Sequence, residues 1–389
     1  MAVKSFTLVD AERNLYESAW QAGPAEVGGK AAGYSVRKTT LRGGIREGVD
    51  LIEVDNGAFR FVALPTRGMG IWKGWLGELE VGWKSPVRGP VHPQFVAICE
   101  PSGLGWLDGF DELLVRCGLV SNGAPDFDPQ TGRLAYALHG KIANKPAHFV
   151  EVTIDGDSGE ISLTGIVDEL RFHFNKLRLK STIKTKVGEK GFRIYDEVTN
   201  LGGDTGELQL LYHINFSQPI LDSGARVVIP VKTMVPRDAR AVENASTWDS
   251  YPAEQRGYAE QVYFFDLLAD AEGNTQVLLK NAHSMQGVSL KFPVKQLPCF
   301  TLWKDTMAAN DGYVTGLEPG TNFPNPRSFE AEQGRVIKLE PGETRKFAVA
   351  LEVHPDAAGV SAAEQAIAKI QGSTKPTIFG KPQKGWTKV

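Results

Sequence analysis

Apolar and polar residues alternate along much of the chain, and this period of two indicates β-strands. From about residue 45 onward, the alternating runs are 51–64, 149–154, 161–167, 177–187, 192–198, 208–216, 227–231, 277–279, 288–292, 336–339 and 346–353. Turns rich in glycine and aspartate separate several runs at the spacing of a meandering sheet. Strands and helices do not alternate, which disfavours a Rossmann fold or an α/β barrel. We therefore predict a mainly β fold, a large antiparallel β-sandwich with few short helices.

The pattern predicts a single sandwich domain over residues 31–355, because no linker interrupts it. Residues 1–30 are expected to form an N-terminal extension that packs on the sandwich, with a short helix within residues 10–22. Residues 356–389 are expected to form a C-terminal helix and tail. Ser361 precedes an alanine-rich run and is the expected N-cap of that helix.

Net charge and cysteine content narrow the class of protein. The 389 residues include 43 lysines and arginines and 46 aspartates and glutamates, a formal charge of −3. Such a chain offers no basic field for nucleic acid or for an anionic membrane. No window is apolar enough for a membrane helix, and the N-terminus lacks the apolar core of a secretory signal. Three well-separated cysteines form no disulfide framework, so we expect a reduced protein in the cytoplasm.

Residues 208–219 (LQLLYHINFSQP) form a strand pattern with two unlike faces. The apolar face consists of Leu208, Leu210, Tyr212, Ile214 and Phe216. The other face carries Gln209, Leu211, His213, Asn215 and Ser217. A strand with glutamine, histidine, asparagine and serine on one face favours the floor of a polar cleft. A histidine hydrogen-bonded to a neighbouring strand is the alternative.

Two further segments carry a candidate acid or base. His139 lies at a strand end beside small residues, which leaves room for a ligand; an exposed turn histidine is the alternative. Glu318 lies in a glycine- and proline-rich loop over residues 312–326, and Pro319 biases its backbone toward an extended conformation. A carboxylate held in this way is a candidate base, although an ordinary turn acid fits the same pattern.

Aromatic and basic residues suit a sugar, because its C–H face stacks on aromatic rings while its hydroxyls bind charged groups. Trp303 and Lys304 offer such a pair, and Arg67 precedes a stretch that holds three tryptophans. A place in the core is the alternative for each tryptophan. The spacing of His92 relative to the other candidates does not demand zinc. We therefore predict no cofactor and assign no metal ligand, which leaves a structural or substrate-bridging metal open.

Taken in order, these motifs resemble the galactose mutarotase-like (aldose 1-epimerase) superfamily. They resemble more closely its divergent bacterial branch, described as a domain of unknown function. The resemblance covers roughly residues 30–355 and rests on LPTRGMGIW, GWKSP followed by VHP, GFDELLVRCGL with NGAP, LHG, DEVTN, LLYHINF and GLEPGTN. It implies an antiparallel β-supersandwich, in agreement with the periodicity.

The resemblance also implies roles for individual residues. Glu318 matches the general base, His213 the general acid, and His139 a second histidine that helps to bind the sugar. Arg67 matches a substrate-binding arginine, and Asp249 is the nearest candidate for an aspartate that holds sugar hydroxyls. A glutamate is ionised by default at neutral pH, whereas a histidine acid needs a nearby carboxylate to favour its protonated form.

The remaining residues expected at the substrate are Asn215, Trp303, Lys304, Lys84 and His92. The basic members of the set leave open an anionic substrate, such as a sugar acid or a sugar phosphate. The expected partner is therefore a small carbohydrate, while the particular sugar and the oligomeric state stay open.

These assignments predict an enzyme that interconverts the anomers of an aldose by general acid–base ring opening. The first alternative is a non-catalytic carbohydrate-binding or regulatory module on the same scaffold. The second alternative is a carbon–oxygen lyase with Tyr212 as its base. Strand alternation turns Tyr212 away from His213, which argues against that lyase.

Overall fold

Two large β-sheets dominate the computed structural model, which describes residues 2–388. In chain order its strands are β1 (Val3–Asp10), β2 (Leu15–Tyr16), β3 (Ala19–Ala22), β4 (Ser35–Thr40), β5 (Asp50–Asp55), β6 (Phe59–Leu64), β7 (Gly70–Leu76), β8 (Leu79–Val81), β9 (Leu114–Leu119), β10 (Asp126–Phe127), β11 (Leu134–Tyr136), β12 (Phe149–Asp155), β13 (Glu160–Leu170), β14 (Lys176–Lys186), β15 (Gly191–Asn200), β16 (Gly206–Phe216), β17 (Arg226–Val228), β18 (Val231–Pro236), β19 (Gln261–Leu267), β20 (Asn274–Lys280), β21 (Gly287–Pro293), β22 (Cys299–Asp305), β23 (Val314–Gly320), β24 (Ile337–Leu339), β25 (Thr344–His354) and β26 (Thr377–Ile378). The α-helices are α1 (Pro24–Val27), α2 (Ala239–Val242), α3 (Arg327–Glu332) and α4 (Ala357–Gln371). The prediction of a mainly β fold with few short helices is confirmed.

Most strands form a ten-stranded and a fourteen-stranded sheet, and β10 and β11 form a separate two-stranded sheet. The first has the order β17-β20-β21-β25-β15-β14-β13-β12-β1-β2. The second has the order β26-β18-β19-β22-β23-β16-β9-β7-β6-β5-β4-β3, with β24 paired to β16 and β8 paired to β7. The β18–β26 pair is parallel, and the other strand pairs within the two sheets are antiparallel. The antiparallel sandwich is therefore also confirmed.

The main apolar core fills the space between the two sheets. It takes Leu163 and Ile194 from the ten-stranded sheet and Leu210 from β16 of the other sheet. The next residue of β16, Leu211, points the opposite way and joins a second cluster that includes Trp106. The fourteen-stranded sheet is thus covered on both faces near β16, on one by the other sheet and on the other by loops.

The N-terminal segment differs from the expectation. Residues 1–30 were expected to pack on the sandwich as an extension, but β1 pairs with β12 in the ten-stranded sheet. The short helix expected within residues 10–22 is wrong, because β2 and β3 occupy that stretch. β3 pairs with β4 at the edge of the fourteen-stranded sheet. The segment therefore supplies strands to both sheets.

The C-terminal helix is present, but it begins earlier than expected. α4 is capped by Asp356, whose carboxylate accepts a hydrogen bond from the Gly359 amide at 2.8 Å, so Ser361 lies inside the helix. The tail beyond it adds β26 beside β18 and stacks Trp386 on Phe323, with ring centroids 5.1 Å apart. Among residues 2–388, no helix is long and apolar enough to cross a membrane.

A buried ion pair joins the two sheets across the core. Arg116 on β9 donates from Nε to Asp196 Oδ2 on β15 at 2.6 Å, and from Nη2 to Asp196 Oδ1 at 3.1 Å. Both side chains are fully buried. Tyr212 on β16 donates its hydroxyl to the same carboxylate at 2.8 Å. Because the surroundings are apolar, removal of either partner would leave the other as an uncompensated buried charge.

We predict that Arg116→Met lowers the free energy of unfolding by about 3–5 kcal/mol, because Asp196 would keep a buried charge without its partner. Urea denaturation measures the loss. The control is Arg193→Met on β15, the strand that carries Asp196; Arg193 forms a partly exposed pair with Glu189 and contributes less than about 1 kcal/mol. Equal losses of unfolding free energy in the two variants would contradict the claim that the buried pair stabilises the fold more than the partly exposed one.

Candidate active site

His213 and Glu318 face each other on two adjacent strands. The register of β16 and β23 pairs Ile214 with Leu317, which places His213 directly opposite Glu318. His213 is 4% exposed and Glu318 is 2% exposed, and His213 Nε2 lies 3.1 Å from Glu318 Oε1. Glu318 therefore lies within a strand and not in the expected loop. The sheet register brings together two residues that are far apart in the sequence.

The two faces of β16 follow the predicted alternation. Leu210, Tyr212 and Ile214 belong to the core between the sheets. His213 lies on the opposite face, where its ring packs against Phe110. Tyr212 donates its hydroxyl to Asp196 inside the core, so it does not share the space beside His213.

Asn215 orients the imidazole of His213. Its amide nitrogen donates to the Glu112 carbonyl at 3.0 Å, which turns the amide oxygen toward His213. Asn215 Oδ1 lies 2.6 Å from His213 Nδ1. Nδ1 must therefore carry a proton and donate it, which leaves Nε2 to face Glu318. Asn215 has no exposed surface, so it positions His213 and does not contact a substrate as expected.

Arg67 anchors the loops that cover this face of the sheet. It is 1% exposed and donates from Nε to Glu112 Oε1 at 2.5 Å. Its other donors bond the Val91 carbonyl at 3.0 Å, the Asn144 side chain at 2.9 Å and the Gly109 carbonyl at 2.9 Å. The expected contact between Arg67 and a substrate is therefore replaced by contacts within the protein. Its buried donors need these internal partners.

His139 reaches the same space from a tight turn. Its φ of 56° and that of Gly140, 71°, are left-handed; a side chain at Gly140 would collide with the Ser121 carbonyl. The ring lies 5.4 Å from that of His213, centroid to centroid. Nδ1 donates to the Asn122 carbonyl at 2.9 Å, so neutral His139 presents Nε2 as an acceptor. Burial lowers the pKa of His139 to about 4, which keeps it neutral at pH 7.

Aromatic rings surround the histidine and carboxylate. The rings of Phe110, Trp303 and Trp106 lie 5.1, 5.3 and 6.1 Å from that of His213. Trp303 is half-buried and donates its indole N–H to Glu260 Oε2 at 2.7 Å. Trp303 therefore lies beside His213, and its contact with a substrate stays a prediction.

The absence of a side chain at Gly316 leaves the space that the Glu318 carboxylate occupies. A Cβ at Gly316 would lie 2.5 Å from Glu318 Oε1 and 3.1 Å from His213 Cε1. Within the described chain, Glu318 Oε1 is buried and has no aligned hydrogen-bond partner. Its polar neighbour is His213 Nε2, 3.1 Å away, so a proton held by either group would satisfy this oxygen through their contact.

Burial also sets the protonation of the two groups. Loss of water raises the pKa of Glu318 well above its ordinary range, and the charge of Glu260 raises it further. Burial lowers the pKa of His213 well below its ordinary value, and His139 acts in the same direction. Both effects favour a protonated carboxyl and a neutral imidazole. This differs from the expected ionised Glu318 because desolvation outweighs the intrinsic acidity of the group.

Four of the expected substrate residues lie elsewhere or point away. Lys304 is 2% exposed and donates to the carbonyls of Trp248 and Ser250 at 3.0 and 2.7 Å, on the face of β22 opposite to Trp303. Asp249 pairs with Arg226 near β17 of the other sheet.

His92 and Lys84 also make no contact with the central pair. His92 caps a 3₁₀ turn, where Nδ1 accepts from the Gln94 amide at 3.2 Å. Lys84 is exposed in the segment after β8. Among residues 2–388, no three His, Cys, Asp or Glu side chains are grouped to hold a metal ion.

Sequence reasoning missed Glu112, Arg237 and Glu260. Glu112 accepts from Arg67 and, through its carbonyl, from Asn215. Arg237 donates to Glu260 Oε1 at 2.9 Å, and both side chains are about one third or more exposed. Glu112 lies in the motif GFDELLVRCGL, which was a usable signal. The other two lie in segments with no motif, so periodicity alone could not find them.

Comparison with known proteins gives a consistent picture. The family model described as Domain of unknown function (DUF4432) matches residues 46–353. A Klebsiella pneumoniae protein, provisionally named an aldose 1-epimerase, has a crystal structure that is 34% identical, with a TM-score of 0.93 over 96% of this chain and 97% of that chain. No curated protein matches the sequence.

Two more distant crystal structures share the fold alone. A galactose mutarotase-like protein from Clostridium acetobutylicum is 16% identical, with a TM-score of 0.56 over 82% of this chain and 98% of that chain. An Escherichia coli protein, also provisionally named an aldose 1-epimerase, is 14% identical, with a TM-score of 0.52 over 79% of this chain and 99% of that chain.

We predict that Asn215→Ala lowers the free energy of unfolding by about 1–3 kcal/mol, because the Glu112 carbonyl and His213 Nδ1 both lose a buried partner. Denaturant unfolding measures this, and a crystal structure of the variant should show the imidazole rotated. Ser217→Ala, in the turn directly after β16, is the control and should change stability by about 0.5 kcal/mol or less. An unmoved ring and equal stability in both variants would contradict the role of Asn215.

Proposed function

This chain belongs to the DUF4432 family, and we propose that it is an aldose 1-epimerase-like enzyme. In this proposal it interconverts the α and β anomers of an aldose by opening and reclosing the sugar ring. The observation that carries the proposal is the buried contact of His213 Nε2 with Glu318 Oε1, 3.1 Å apart, among aromatic rings.

The reaction requires two coordinated proton transfers. A base removes the proton of the anomeric hydroxyl while an acid protonates the ring oxygen, and the bond between that oxygen and the anomeric carbon breaks. The open-chain aldehyde rotates about its first carbon–carbon bond. Reversal of both transfers recloses the ring on the other face. Each positioned acid or base contributes about 10²–10⁴-fold to the rate.

The two buried groups together hold the proton that the reaction needs. In the free site, burial favours the proton on Glu318 and leaves Nε2 of His213 unprotonated. Transfer of that proton across the 3.1 Å contact creates a carboxylate base and an imidazolium acid in one step. Glu318 then accepts the anomeric proton and His213 donates to the ring oxygen. Asn215 supports the imidazolium because it already accepts the Nδ1 proton.

The surroundings suit a sugar in this place. Neutral His139 offers Nε2 to a hydroxyl, because its Nδ1 proton is given to the Asn122 carbonyl. The face of Trp303 and its neighbour Phe110 can pack on the C–H face of a pyranose or furanose ring. The chemistry moves protons and breaks and re-forms one carbon–oxygen bond without net oxidation, so the proposal includes no redox cofactor. It places the protein in the cytoplasm, where the free thiols Cys117 and Cys299 would stay reduced.

We predict that Glu318→Gln lowers the rate of anomer exchange by at least about 100-fold, because the amide cannot take the anomeric proton. Two-dimensional exchange NMR on D-glucose, D-galactose, D-mannose and D-xylose, corrected for spontaneous mutarotation, measures the rate. The control is Glu332→Gln, which removes the same charge from an exposed position on α3 and should leave exchange unchanged.

The outcomes separate the proposal from its main alternative. Exchange by the native protein that survives in Glu318→Gln would exclude Glu318 as the base. Binding of a sugar by saturation-transfer NMR, with no exchange at any pH, would favour a non-catalytic carbohydrate-binding module on the same scaffold.

A further inference from the structure

A salt-bridged pair of side chains lies at the solvent side of the candidate active site. Glu260 Oε2 accepts from the Trp303 indole at 2.7 Å, and Glu260 Oε1 accepts from Arg237 Nη2 at 2.9 Å. Arg237 also donates from Nε to Asp238 Oδ2 at 2.8 Å. The side chains of Glu260 and Arg237 are 44% and 34% exposed, whereas Glu318 is almost completely buried. These charged groups therefore meet both the solvent and the site.

The charges of Glu260 and Arg237 shift the pKa values of groups inside the site. The carboxylate of Glu260 contributes to the raised pKa of Glu318 and favours the protonated form of His139. The guanidinium of Arg237 acts on Glu318 in the opposite direction. Trp303 connects the pair to His213, because its ring lies 5.3 Å from the imidazole while its N–H holds Glu260. A sugar over Glu318 and Trp303 would extend toward Glu260 and Arg237.

The balance of charge at this opening is negative. One guanidinium, on Arg237, faces the two carboxylates of Glu260 and Asp238. Asp305 lies nearby, but burial and Glu260 raise its pKa to about 7, so it is only partly ionised at neutral pH and adds little to this balance. Of the basic residues that left an anionic substrate open, Lys304 and Arg67 give their donors to the protein itself, whereas Lys84 is exposed in the segment after β8.

We propose that Glu260 and Arg237 determine substrate specificity and that they select an uncharged sugar over a sugar acid or a sugar phosphate. This inference rests on the proposed function. The exposed carboxylate accepts hydrogen bonds from sugar hydroxyls and the guanidinium donates to them, so a neutral polyol satisfies both. A second anionic group in the same place meets like charge and loses its own hydration.

The test compares each neutral sugar with its anionic derivatives. The probes are D-glucose, D-galactose and D-mannose, each with its 6-uronic acid and its 6-phosphate. Exchange NMR measures turnover and saturation-transfer NMR measures binding. For the native protein we expect the preferred neutral sugar to exceed its uronate and phosphate by at least about tenfold in both measurements.

Glu260→Gln keeps an oxygen for the Trp303 indole but removes the charge. We expect it to reduce the preference for the neutral sugar at least about fivefold, mainly through KM. Asp238→Asn, which retains an N-cap for α2, should shift the preference in the same direction by a smaller factor. Glu332→Gln is the control for net charge and should not change the preference.

Each outcome bears on the inference. An anionic sugar that binds or turns over as well as its neutral parent would overturn it, as would an unchanged preference in Glu260→Gln or the absence of binding by every sugar tested. If the neutral sugars bind selectively without anomer exchange, the proposed enzymatic function fails while the charge selection stands.

Discussion

The buried ion pair of Arg67 and Glu112 is the interaction on which the candidate site depends. Arg67 holds the Val91 and Gly109 backbones and the Asn144 side chain, so it fixes three segments that cover the outer face of the fourteen-stranded sheet. The Glu112 carbonyl then orients Asn215, which in turn orients His213. The loops held by Arg67 and Glu112 therefore fix the orientation of the His213 ring through buried hydrogen bonds that end at Nδ1. Such networks hold their geometry because a broken member leaves a buried polar group unpaired.

The buried carboxyl group of Glu318 lowers the stability of the folded protein. Glu318 Oε1 is buried with His213 Nε2, 3.1 Å away, as its polar neighbour. Apolar residues in that position would pack at lower cost, so the arrangement is unfavourable for folding and useful for proton transfer. Gly316 keeps the space open, because any side chain there would press on the carboxylate. The aromatic rings exclude water, which makes the two groups respond to each other more than to solvent.

Much of the fold was predictable because strand alternation is a local property. The faces of β16 followed from its own residues, whereas the pairing of His213 with Glu318 depends on a register between distant strands, and only the family resemblance pointed to it. Arg67 was assigned to a substrate by the family resemblance, because a sequence motif cannot distinguish an arginine that bonds backbone carbonyls from one that bonds a ligand. Asp249 was the nearest acid in sequence, but strand order places Glu260 at the site. The short strands β2 and β3 hold too few residues to show a period.

The central claim is that His213 and Glu318 hold one proton between them, with the imidazole neutral and protonated at Nδ1. Nitrogen NMR of the ¹⁵N-labelled protein, with His213 assigned by comparison with His213→Asn, measures this directly between pH 5 and 9. Because burial lowers the pKa of His213 well below its ordinary value, we predict an Nδ1–H tautomer that does not titrate near pH 6.5. An Nε2–H tautomer, or an imidazole that titrates with an ordinary pKa, would contradict the account.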